Sequence, residues 1–87
     1  AFVANREVLS QMLGKANPAS FQKLATLTAA ARGRWAGEAL RLAESGSPVT
    51  PDQAARLTAF RTAYEELAES YEALRRMVER GYLVLNP

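Results

Sequence analysis

Four glutamates, Glu65, Glu66, Glu69 and Glu72, crowd two turns of one segment of the chain. Glu65 with Glu69, and Glu69 with Glu72, stand at the i,i+4 and i,i+3 spacings that bring carboxylates side by side on a helix. Such pairs can share a proton or hold a metal ion. Helical di-metal sites, however, use inward-facing glutamates together with a Glu-x-x-His pair. This chain contains no His and no Cys. Placing residues 100° apart also sets these glutamates on the side opposite the apolar stripe of their segment, a solvated face. No nucleophile–base pair and no Gly-rich phosphate loop is present. The expectation is a protein that is not an enzyme and uses no metal and no cofactor.

The basic residues suggest a different chemistry. Lys23, Arg34 and Arg41 fall on one line of their segment, well off its apolar stripe, while Arg75 and Arg76 cluster near the end of the last one. Cations at a helix C-terminus also suit the helix dipole. These five are the candidate DNA-contacting residues. With no recognition-helix motif and no stacking platform, contact would be to backbone phosphates rather than to bases. A formal net charge of +2 is too mild to announce nucleic acid by itself. The acidic back of one copy could also meet the basic edge of the next, a heterologous contact that closes into a ring where the rotation permits. Candidate residues for such an interface are Trp35, Gly37, Tyr64, Tyr71, Glu65 and Glu69. Tyr64 and Tyr71 enter because their hydroxyls need a partner when buried, and a subunit boundary can leave one end wet.

The elements that must hold these groups are helices. Residues 1–16 predict a short first helix, with Val8, Leu9, Met12 and Leu13 at helical spacing and Gly14 as its stop. Asn17 and Pro18 read as an N-cap and first helical residue. From there to residue 45 a second helix carries Phe21, Leu24, Thr28, Ala31, Trp35, Glu38 and Leu42 at alternating steps of three and four, a thin seam interrupted by Thr28 and Glu38. Thr28 offers a second possible N-cap. Gly33 and Gly37 each cost about 1 kcal/mol relative to Ala inside a helix, which points to a close neighbouring backbone or to a bend.

Residues 46–50 predict the turn, with Gly46 closing the second helix. Thr50, Pro51, Asp52 and Gln53 then read as an N-cap, first turn and T-x-x-Q capping box. The third helix, residues 51–80, holds a heptad seam of Leu57, Phe60, Tyr64, Leu67, Tyr71, Leu74 and Val78, and Gly81 ends it. The tail, 81–87, switches to β-favouring residues and is expected to add a short strand or pack on the hairpin. The fold class is all-α: a long antiparallel helical hairpin with a short N-terminal helix and an extended C-terminal tail, in one domain and predicted to be oligomeric. A core of 87 residues with no disulfide rarely supplies more than about 3–5 kcal/mol. No apolar run reaches the roughly 20 residues needed to span a bilayer, and "AFVANREVL" does not read as a signal peptide. A cytoplasmic location is expected.

Residues 27–87 resemble the small subunit of phage terminases. The likeness is an ordered pattern: Leu27 and Thr28, then Trp35, then an amphipathic stretch ending in a Gly-containing turn. Thr50, Pro51, Asp52 and Gln53 open a helix of the Leu57, Phe60, Tyr64 kind, and the pattern closes on Gly81 and an apolar tail ending in Asn86 and Pro87. The resemblance implies a non-enzymatic DNA-packaging factor that forms a homo-oligomeric ring through its helical hairpin. It further implies double-stranded DNA and the large terminase subunit as partners. Residues 1–26 are too short for the separate DNA-binding domain of many relatives, which leaves the basic edge as the expected contact. The rival class is a small helical adaptor or chaperone that pairs its amphipathic helices with a protein partner, expected to form only low-order oligomers.

Overall fold

The computed structural model describes residues 2–86; Ala1 and the final Pro87 of the tail lie outside the described residues. Three helices follow in order: α1 (Phe2–Leu13), α2 (Pro18–Ser45) and α3 (Pro51–Glu79). Their boundaries fall where side chains can satisfy orphan backbone groups. Asn17 caps α2 by accepting the Ala19 N–H at 2.8 Å. Gly14 and Gly46 take the left-handed conformation, with φ of 65° and 70°, that stops α1 and α2. At the start of α3 the Gln53 N–H donates to Thr50 Oγ1 at 3.1 Å while the Thr50 N–H donates to Gln53 Oε1 at 3.0 Å. The capping box of the sequence is therefore formed in full.

α2 does not break at Thr28. Its hydroxyl donates to the Leu24 carbonyl at 2.8 Å, one turn back, so it bonds within a continuous helix instead of capping a new one. α3 ends in a Schellman motif: the Gly81 N–H donates to the Val78 carbonyl at 3.0 Å and the Tyr82 N–H to Met77 at 2.8 Å. The tail then turns back. Leu83 is buried, Leu85 forms an isolated parallel bridge with Ala16, and the Asn86 N–H donates to the Ala16 carbonyl at 2.9 Å. Of the two expectations for the tail, a short strand or packing on the hairpin, the chain shows a buried Leu83 and a single bridge, with no strand among the described residues.

The two long helices form the hairpin, and α1 packs its length on neither of them. α1 is held at its start instead: the Phe2 ring lies 5.2 Å from that of Tyr82 and close enough to Gly81 that a Cβ there would stand 3.5 Å from it. Between α2 and α3 the contacts run antiparallel. Phe21 meets Tyr71 edge-on at 6.1 Å, and Trp35 stacks on Tyr64 at 5.8 Å. All seven residues of the α3 seam, Leu57 to Val78, are half-buried and none is fully buried. Buried apolar residues among those described are Ala31, Leu42 and Leu83.

The shape follows from this thin core. The chain measures 55 × 25 × 17 Å with a radius of gyration of 17.7 Å, against about 12 Å for a compact chain of this length. It exposes 6412 Å², whereas a compact monomer of this mass exposes about 5,000 Å². Among the described residues no helix is long and apolar enough to cross a membrane.

Candidate nucleic-acid and assembly interface

The hairpin has two flanks, and the sequence makes them unlike. On one flank α2 presents Ala25, Ala29, Gly33 and Ala36, and α3 presents Tyr64, Ala68 and Tyr71. Small residues on one helix facing rings on the other leave an open groove of about 650 Å³. Arg32 and Glu72 stand at its edges. A Cβ built at Gly33 or Gly37 would meet nothing within 4 Å beyond the backbone of its own helix. Both glycines therefore face space within this chain, and neither serves close packing of α2 on α3.

The charged residues bordering this flank on α3 are tied to one another along the helix. Arg61 pairs with Glu65 at 3.5 Å, and Arg75 lies between Glu72 at 2.8 Å and Glu79. The Arg75 hydrogen bond holds the Glu72 carboxyl below its usual value, and Glu72 in turn raises Arg75. These pairs are exposed, and such pairs contribute little each. Their effect is to neutralise this flank in place. Glu66 and Glu69 are exposed as the pattern requires, while Glu72 is half-buried at the groove edge instead of lying on the outer back.

The opposite flank centres on Glu38. This residue occupies an apolar position of the α2 seam and is 6% exposed. Arg41, one turn on, grips it with two groups: Nε donates to Oε2 at 3.3 Å and Nη2 donates to Oε1. Arg56 reaches over from α3, with Nε 3.7 Å from the same Oε1. The Arg56 guanidinium also lies over the Phe60 ring, 5.1 Å from its centroid. Both arginine side chains stay about three-fifths exposed, at 63% and 62%. Lys23 and Arg34, on the line of Arg41, are exposed and have no carboxylate partner among the described residues.

The five predicted DNA-contacting residues are thus divided. Lys23, Arg34 and Arg41 share the Glu38 flank. Arg75 is committed to Glu72 and Glu79, and Arg76 borders a cleft under α1 with Arg80 and Met77. The predicted assembly residues divide as well: Trp35, Tyr64 and Tyr71 sit half-buried where the helices meet, Gly37 faces outward, Glu65 is paired and Glu69 is open. Sequence reasoning passed over Arg56 and Glu38 as site residues. The signal was a carboxylate at a seam position, which demands cationic partners when buried. No family model, no curated protein and no solved structure matches this chain.

Proposed function

We propose that the chain is a non-enzymatic DNA-packaging factor of the terminase small-subunit kind. Copies associate side by side through the hairpin into a ring, the basic flank lies along double-stranded DNA, and the assembly acts on the large subunit. The observation that carries this reading is the uncovered seam. Two long helices bury so little between them that about 1,400 Å² more surface is exposed than a compact monomer would show. That excess exceeds the roughly 800 Å² each partner contributes to a standard protein interface. The flanks also differ in kind, one small-residued and self-neutralised, the other basic, which suits a subunit with one face for neighbours and one for phosphates.

The test is size together with DNA binding. Light scattering should give a closed particle of fixed mass well above twice 9.5 kDa. Reversing Lys23, Arg34 and Arg41 to Glu should weaken duplex binding and flatten its salt dependence. A monomer or dimer at micromolar concentration with no DNA affinity would remove this reading.

A second reading, the adaptor, rests on its own observation. Val3, Val8 and Met12 of α1 and Val84 of the tail are 64%, 53%, 77% and 48% exposed. Val8 and Met12, one turn apart on the same side of α1, suit a single partner protein. That reading requires a monomer or dimer that binds its partner with the α1 end, and Met12→Asp should then abolish the complex without changing the hairpin's melting.

A further inference from the structure

On the basic flank we infer a second-helix partner for Arg41: Arg41 and Arg56, gathered by the buried carboxylate of Glu38, form a two-guanidinium clamp for a phosphate group. It rests on the DNA-binding reading for the source of that phosphate, here the backbone of a duplex. The clamp itself stands on geometry. Oε1 of Glu38 faces both side chains, at 3.7 Å from Arg56 Nε and hydrogen-bonded to Arg41 Nη2. The carboxylate is 5% exposed, so it lies beneath the arginines and not between them and solvent.

Two cations over one carboxylate leave a local charge of +1. More important is which donors are used. Arg41 spends Nε and one Nη2 hydrogen on Glu38, and its remaining N–H groups donate to no other side chain among the described residues. Arg56 is nearest Glu38 at Nε, 3.7 Å away, and its guanidinium carbon lies over the Phe60 ring at 5.1 Å from the centroid. Its two terminal nitrogens remain for a ligand. A guanidinium fork matches a phosphate bidentately, and a fork already held by a ring and a carboxylate loses less freedom on binding. Arg75 is the internal contrast. Its donors are divided between the half-buried Glu72 and the exposed Glu79 beside it, so an incoming phosphate would meet two carboxylates there.

The pairing also explains a residue that packing does not. An apolar side chain at position 38 would extend the α2 seam, and buried ion pairs are often no more stabilising than apolar replacements. A carboxylate there has a use if its task is to hold two arginines of different helices at one place.

The experiment follows the arginine Nε–Hε signals by NMR while sodium tripolyphosphate is added, then measures duplex DNA affinity against salt. Expected are saturable shifts at Arg41 and Arg56 and none of similar size at Arg75. For the duplex, Arg41→Gln with Arg56→Gln should make the slope of log K against log salt shallower by about 0.9, the value for the one phosphate the clamp holds. Equal shifts at all arginines, or a slope unchanged in the double variant that still binds duplex, overturns the clamp. Tripolyphosphate captured at Arg41 and Arg56 with no duplex binding by the unaltered protein upholds the clamp and removes the DNA reading. Because the double variant leaves the buried Glu38 carboxylate without a cation, the same pair of substitutions is also made with Glu38→Gln, and far-UV circular dichroism of both variants separates lost binding from lost folding.

Discussion

Trp35 of α2 and Tyr64 of α3 stack with centroids 5.8 Å apart and planes 24° from parallel. They meet near the middle of both helices, where the hairpin has no fully buried large side chain to anchor it. Aromatic pairs add about 0.5–1.5 kcal/mol beyond the area they bury. Because Trp35 is only half-buried, Trp35→Ala should cost about 2 kcal/mol, less than the 3–5 typical of a fully buried ring. Tyr64→Phe keeps the stack and should shift stability by less than about 0.5 kcal/mol. Urea unfolding followed by circular dichroism checks both.

The Thr50 and Gln53 capping box fixes where α3 begins and so where the hairpin turns. Thr50→Ala removes the acceptor for the Gln53 N–H and should cost about 1 kcal/mol. Ser at the same position keeps the hydroxyl and should restore most of it. The denaturation midpoints of the two variants decide the matter.

Acid sensitivity should follow Glu72. Its carboxyl is held below the usual glutamate range by the hydrogen bond from Arg75. A carboxyl with a depressed folded value binds fewer protons folded than unfolded around that pH. Its contribution is therefore complete above the unfolded value and is lost as pH falls through the lower folded one. Glu72→Gln should narrow the stability difference from the unaltered protein to nothing below that window, while leaving a small constant difference at pH 6–8. Urea midpoints across pH 3–8 test this, and a difference that persists at the acid end would show that Arg75 is not the cause.

Gly33 and Gly37 separate folding from assembly. Neither has an atom within 4 Å of a built Cβ, so Gly→Ala at either site should stabilise the isolated hairpin by up to about 1 kcal/mol. Gly33 lines the groove. If a neighbouring copy covers that flank, Gly33→Leu should lower particle mass while leaving the hairpin's own helicity intact. A particle of unchanged mass would place the neighbour elsewhere.

Much of this architecture is legible in the chain because short-range chemistry dictates it. Asn17 with Pro18, Gly46, Thr50 with Gln53, and Gly81 mark the helix ends through hydrogen bonds to residues within a turn or two. The α3 seam was readable for the same reason, since one helix's period depends on nothing beyond itself. What crosses between helices was not. Arg56 lies on α3 and Glu38 on α2, and only the hairpin's register brings them together. Thr28 could cap or back-bond, and the choice was made by continuity of the helix around it. The glycines suggested close approach, but a row of small residues looks the same in sequence whether a neighbour fills it or solvent does.

The central claim is that this hairpin leaves its seam for other copies to cover. Size-exclusion chromatography with light scattering on the purified chain at micromolar concentration measures it directly. A single closed particle whose mass is a fixed, high multiple of 9.5 kDa is the predicted result. A stable species of 9.5 kDa that stays monomeric as concentration rises would contradict it.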